Sequence, residues 1–322
     1  MKSRYLTAIL VIAEVIGASA GCSSNPGATA TKDIRLDYAY YNPLSLVVRD
    51  QHLLENQGYH VTWVLSAGSN KANEGLRSQA LDFGSTAGSA ALVARANGTP
   101  IKIIEVYSKP EWTALVVPKD STIAAVAGLK GKKIAVTKGT DPYFFLLQSL
   151  ATAGLSPADV EIINLQHADG KTALERGDVD AWAGLDPFMA QTVQQQGSRL
   201  MYRNPDFNSY GVLNVREDFS SAHPDAVQAV VNSYEEARKW AKAHPVELAA
   251  LLASQARVAQ SVAEEELQRT TFDIPPAPGD PQRAVLTNIV PIAVADADIK
   301  SDEAGRSALS TIIEPKYAQQ VH

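Results

Sequence analysis

The order of apolar runs constrains this chain more than any other feature. From Ile34 onward, short β-type runs alternate with helix-spaced segments. IRLDYAY is followed by LSLVVRDQHLLEN, with apolar positions at Leu46, Val47, Leu53 and Leu54, then by HVTWVL, NEGLRSQA, LDF, SAALVARAN and IKIIEVY. A second unit repeats the order with KKIAVTKG, a helix from Pro142 to Ala153, VEIINL, DGKTALERGD, VDAWAGL and a helix through DPFMAQTVQQQ. Neighbouring parallel strands need long crossovers, and a helix supplies them. The alternation therefore predicts an α/β chain with two mainly parallel sheets.

WTALVVPKD (112–120) and SYGVLNVRED (209–218) read as strands crossing between the two units. Long helical patterns follow the second, broken by the proline-rich loop FDIPPAPGDP (272–281). The expected division is lobe 1 over 33–115 plus 212–322 and lobe 2 over 116–211, with the two crossing strands as a hinge.

The first residues, MKSRYLTAILVIAEVIGASAGCSS, carry Lys2 and Arg4 and then an apolar run from Leu6 to Ile16. The run is too short to span a bilayer and ends in small residues, the pattern of a signal peptide over 1–21. Cleavage after Ala20 would release a soluble form. Ser19-Ala20-Gly21-Cys22 instead resembles a bacterial lipoprotein box, which would leave Cys22 lipidated and bound to a membrane. The second reading is preferred because Cys22 is the only cysteine, and a lone exported thiol has no disulfide partner. Residues 22–32 then read as a polar tether. Export to the periplasm or the outer face of the cell membrane is expected.

The formal charge is −6 and the isoelectric point near 5.6, with no basic run, so a nucleic-acid role is disfavoured. None of the six histidines falls in a metal-binding spacing, and there is no GxSxG elbow. His167-Ala168-Asp169 reads as a polar turn and helix cap. No catalytic residue, metal or cofactor is expected, and the chain reads as a non-enzyme.

Gly84-Ser85-Thr86-Ala87-Gly88 reads as a turn from strand to helix, where free N–H groups at the positive helix end suit an anion. Ser85 and Thr86 would add hydroxyl donors, or one would merely be the N-cap. Gly139-Thr140-Asp141-Pro142 sets up the same geometry in the second unit. There Asp141 either caps the helix or faces the cleft toward a cationic part of a ligand. Tyr40, Tyr41, Asn42, Trp182 and Asp186 lie at or near strand carboxyl ends, where ligands of open α/β sheets bind. Glu111 and Trp112 stand where the first crossing begins.

DFGSTAGSAALVARANGTPIKII, LKGKKIAVTKGT, LQSLATAGLSPADVEIINLQHAD and ALERGDVDAWAGLDPFMA, in this order, resemble the aliphatic-sulfonate and taurine binding proteins of ABC importers. Broader relatives include nitrate and bicarbonate binding proteins and the pyrimidine synthases of thiamine biosynthesis, whose cysteine-rich motif is absent here. The resemblance covers about residues 33–320 and implies a two-lobed, type II periplasmic-binding fold that closes on its ligand. It implies a sulfonate held by Ser85, Thr86 and Thr140, with Tyr41, Asn42, Ser66 and Gly68 lining the cleft. Trp182 and Asp186 match the family's DAW…DP positions, and an ABC permease with its ATPase is the implied partner. Thr140-Asp141-Pro142-Tyr143 departs from the serine run of many sulfonate binders and points to a ligand with a larger or amine-bearing body. The alternatives are another small anion, such as nitrate, bicarbonate or an aromatic carboxylate, or a sensor or enzyme domain on the same fold.

Overall fold

The structure, a computed structural model, describes residues 31–321. The expected signal peptide, the Cys22 lipidation site and most of the tether lie outside the described residues. The strands are β1 (Asp33–Tyr38), β2 (His60–Leu65), β3 (Phe83–Ala87), β4 (Ile101–Pro110), β5 (Leu115–Val117) and β6 (Lys133–Val136). They continue with β7 (Glu161–Asn164), β8 (Ala181–Ala183), β9 (Arg199–Tyr202), β10 (Gly211–Arg216) and β11 (Thr270–Thr271).

Two sheets form, in the orders β11-β4-β10-β3-β1-β2 and β7-β6-β8-β5-β9. Apart from the two-residue β11, both follow one plan, in which a strand from the other lobe's run of chain sits between the third and fourth strands. That guest is β10 in the first sheet, antiparallel to β3 and β4, and β5 in the second, antiparallel to β8 and β9. The expected parallel pairings hold for β1 with β2 and β3, and for β6 with β7 and β8. The sheets are thus mixed, for a physical reason. The parallel strands end at the face between the lobes, so a chain arriving across that face must run the opposite way.

The two expected crossing strands do not themselves cross. β5 lies wholly in the second sheet and β10 wholly in the first, and the chain passes between lobes at residues 111–114 and 203–210. These passages are tied to one another. The Arg203 guanidinium donates to both Glu111 carboxylate oxygens at 2.7 Å, and the Thr113 N–H donates to Asn208 Oδ1 at 3.0 Å.

Helices cover both faces of the sheets, so the strands read as apolar runs rather than alternating ones. Leu36, Phe83, Leu213 and Val215 pack in one cluster with Val227, Val230 and Tyr234 of the helix Pro224–Ala243. A second cluster joins Ile101, Ile103 and Val212 to Val136, Phe144 and Leu146, so one apolar core runs through both lobes. Each such side chain, fully buried, contributes about 1.5–3 kcal/mol.

Candidate functional site

The carboxyl ends of β1, β2, β7 and β8 meet between the lobes, where open α/β sheets bind ligands. They enclose a cavity of about 80 Å³, room for a few waters or a small polar head group. Tyr40, Tyr41, Leu65, Ser66 and Ala67 face it from the first lobe. Gln166, His167, Ala168 and the run from Leu185 to Phe188 face it from the second. The helices Pro43–Asp50, Ser69–Arg77, His167–Arg176 and Phe188–Gln196 all begin in or beside these loops. Each first turn leaves N–H groups without intrahelical partners and carries the positive end of the helix dipole. Two of these ends are capped by the chain itself, Asn42 Oδ1 taking the Ser45 N–H and Asp186 Oδ1 the Ala190 N–H, so the starts of Ser69–Arg77 and His167–Arg176 supply the positive potential at this space.

His167 is the first residue of its helix rather than the cap expected of it, and it is buried. The Thr137 hydroxyl donates to the Leu165 carbonyl at 2.7 Å and lies 3.1 Å from His167 Nδ1. Its one proton being committed, Thr137 accepts from Nδ1–H, and His167 Nε2 is left as a bare lone pair. Nε2 has no hydrogen-bond partner among the described residues. It points at Gly68, the residue before the helix Ser69–Arg77, so closely that a Cβ there would lie 2.9 Å from Nε2 and 2.8 Å from Asn70 Oδ1. Burial holds the imidazole far below its ordinary value, at about 3.

The hydroxyls expected to hold an anion are committed elsewhere. Gly84–Gly88 is not a turn, because β10 pairs with residues 83–87 and keeps them extended, and the helix Gly88–Ala96 starts one residue later. Ser85 donates its N–H (2.8 Å) and its hydroxyl (2.9 Å) to Asp37 Oδ1, and its oxygen accepts from Asn42 Nδ2 at 2.7 Å. Asn42 caps its helix through Ser45 and also reaches the Tyr234 hydroxyl. Tyr41 donates to the Ser85 carbonyl at 2.9 Å, and Thr86 accepts from Asn214 Nδ2 at 2.8 Å. The Thr140 hydroxyl turns back to the Thr137 carbonyl, and Tyr143 points away to Asp296. Trp182 is buried in the second lobe with Val116, Leu174 and Met189. Tyr41, Ser66 and Asp186 line the cavity directly, and Gly68 adjoins it through His167.

Asp141 follows neither expectation. Thr140 is the N-cap residue, and Asp141 is the first residue of the helix Asp141–Thr152. Its carboxylate crosses from the second lobe into a nest of four donors. Ser89 Oγ (2.6 Å) and Ser209 Oγ (2.6 Å) donate to Oδ1, while Trp112 Nε1 (2.8 Å) and the Ser209 N–H (2.8 Å) donate to Oδ2. The start of the helix at Gly88 is filled by the protein itself, since the Gly88 N–H meets the Tyr210 carbonyl and the Ser89 N–H meets Ser209 Oγ. Burial raises the Asp141 carboxyl and the four hydrogen bonds oppose that.

Asp186 presents its backbone to the cavity, while its carboxylate takes both arms of Arg269 at 2.9 Å and the Ala190 N–H at 3.0 Å. Behind Ser66 stands Asp37, a buried carboxyl that desolvation pushes up to about 7 against the pull of the Ser85 and Ser66 hydrogen bonds. Sequence reasoning missed Asp37, Asn70, Ser89, Ser209 and Arg269. Only Asp37 carried a signal, as an acid inside the otherwise apolar first strand.

Two α/β lobes with exchanged strands and a cleft at the strand ends define the type II periplasmic-binding class. The chain belongs to the NMT1/THI5-like family, whose model matches residues 46–248. A Bacillus subtilis protein named "Putative aliphatic sulfonates-binding protein" is 32% identical over 273 residues, 81% of this chain and 82% of that protein. The taurine-binding periplasmic protein of Escherichia coli is 29% identical over 209 residues, 63% of this chain and 64% of that protein. Among solved structures, the alkanesulfonate-binding protein SsuA of Xanthomonas axonopodis pv. citri, bound to MOPS, superposes with a TM-score of 0.77. It is 24% identical and covers 87% of this chain and 99% of its own, a likeness of fold.

Proposed function

We propose that this protein is the solute-binding component of an ABC importer and captures an organosulfonate between its lobes. The observation that carries the reading is the meeting of two uncapped helix N-termini, those of Ser69–Arg77 and His167–Arg176, at one small interlobe cavity. Helix dipoles favour an anion there with no permanent cation in the site, which suits a receptor that must also release its cargo. The apolar walls from Tyr40, Leu65, Leu185 and Phe188 suit the carbons next to the head group of an alkane-, taurine-like or arylsulfonate, and a larger body requires the lobes to part. The sulfonate and taurine binding activities of the named relatives support the same reading. Closure of the lobes on the ligand presents the complex to a permease and its ATPase, and acylation of Cys22 tethers the protein to the membrane. Release as a soluble protein after Ala20 is the alternative.

A thermal-shift series in sulfonate-free buffer tests the ligand class, with taurine, short alkanesulfonates, an arylsulfonate, sulfate, nitrate and matched carboxylates. A ligand at 100 times its Kd adds about 2.7 kcal/mol of stability. The expected result is a rise with sulfonates and none with matched carboxylates. A rise with nitrate or carboxylates alone overturns it.

A further inference from the structure

We infer that anion capture in the interlobe cavity places a proton on His167 Nε2, so that the site takes up its ligand and one proton together. The inference rests on the cavity being the anion site and concerns what that anion meets there.

The argument starts from the hydrogen-bond pattern. Thr137 has one proton and spends it on the Leu165 carbonyl, so His167 Nδ1 carries hydrogen and Nε2 carries none. A buried acceptor without a partner is costly, and His167 is only 1% exposed. The helices Ser69–Arg77 and His167–Arg176 both begin at this end of the cavity and favour negative charge there, beside two other buried acceptors, Asn70 Oδ1 and Gln166 Oε1. A bare lone pair aimed into that field repels the oxygens of an anion. Adding a proton from solvent to Nε2 turns the repulsion into a charge-assisted hydrogen bond in a site of low dielectric. Both defects, the unpaired acceptor and the mismatched lone pair, are removed in one step.

The charged groups on the elements around His167 are neutralised or turned elsewhere. On its own helix Asp169 is exposed, and Lys171 pairs with Glu175. Lys71 on the facing helix pairs with Glu74, and Lys138 at the end of β6 lies over the Tyr143 ring. At the far wall Asp186 is bound to Arg269, and burial pushes the Tyr41 phenol up. Lys133 on β6 pairs with Glu161, and Asp180 before β8 with Lys132. Asp37, behind Ser66, also titrates near neutrality, so a pH slope in affinity alone does not identify His167.

The test is therefore read at the imidazole. The purified protein, labelled with 15N-histidine, is examined at pH 7 by long-range 1H–15N correlation, which reports each ring nitrogen as bare or protonated. Ethanesulfonate is the probe because it stays ionised throughout the accessible range. Expected are a bare Nε2 without ethanesulfonate and a protonated Nε2 at saturation, with binding tightening up to about tenfold per pH unit toward acid. His167→Gln, whose amide supplies only a neutral N–H, should bind more weakly and lose the part of the slope due to this residue. A complex in which Nε2 stays bare, or a free protein in which it is already protonated, overturns the inference while leaving the sulfonate reading intact. If ethanesulfonate moves no histidine resonance, this inference falls, and the thermal-shift series with the other sulfonates decides whether the sulfonate reading falls with it.

Discussion

The Asp141 carboxylate and the Ser89 hydroxyl, from opposite lobes and 52 positions apart, meet at 2.6 Å. With Ser209 and Trp112 completing the nest, the second lobe supplies an anion and the first lobe and its two passages supply the donors. Removing the carboxylate leaves four buried donors unpaired. Asp141→Ala should lower stability by about 2–4 kcal/mol in urea titrations. It should also shift the free protein toward an open form with a larger radius of gyration by small-angle scattering. Asp141→Asn should cost less than Asp141→Ala, because its amide oxygen can take the two N–H donors and its NH₂ can face the two serine hydroxyls, which also accept. Equal stability and an unchanged radius would remove the latch from the picture.

Two buried groups give stability opposing slopes with pH. Asp37 titrates at about 7 in the fold against 3.8 unfolded, so its contribution is present in acid and is lost as pH rises through about 4 to 7. His167 titrates at about 3 against 6.5, so its contribution is present above about 6.5 and is lost as pH falls toward 3. Between about pH 4 and 6.5 the two nearly cancel. Asp37→Asn should therefore lose about 1.4 kcal/mol per unit of acidification in that window, and His167→Gln should gain about as much. Parallel slopes in the two variants would refute this assignment.

Arg269 holds Asp186 with both arms and reaches Glu265 with a third bond of 2.7 Å. Arg269→Met strands a buried carboxylate at the wall of the cavity and should cost about 3–5 kcal/mol. The loss should shrink below neutral pH as Asp186, already pushed up by burial, takes a proton. A pH-independent loss would mean that packing, not charge, is what Arg269 supplies.

Gly68 has an extended backbone, so alanine meets no conformational strain there, only His167 and Asn70. Gly68→Ala should change stability by about 1–3 kcal/mol while abolishing ligand-induced thermal shifts, because the methyl group occupies the polar end of the cavity. Undiminished binding would place the ligand elsewhere.

The alternating apolar runs were enough to predict two α/β lobes, because parallel pairing leaves a strong imprint on sequence. Antiparallel guests β5 and β10 leave none, since a strand buried between two neighbours is equally apolar whichever way it runs. The site divides along the same line. Loops at strand ends were legible as a class, which placed Tyr41, Ser66, Gly68 and Asp186 at or beside the cavity. The fate of each hydroxyl was not, because the partners of Ser85, Thr86 and Thr140 are fixed by packing. Asp141 shows the limit most plainly. Its donors Ser89, Trp112 and Ser209 come from three separate stretches, and only Trp112, at the first crossing, stood out in the sequence.

The guest strands also set the order in which the molecule can be finished. On the ribosome β3 and β4 emerge well before β10, the strand that belongs between them, because residues 111–210 must be made first. Until then the first sheet has a gap with two open edges, the kind of surface that pairs with other chains. A fragment ending near residue 110 should therefore aggregate rather than fold. Synthesis begins with the first lobe, and the first lobe is completed last.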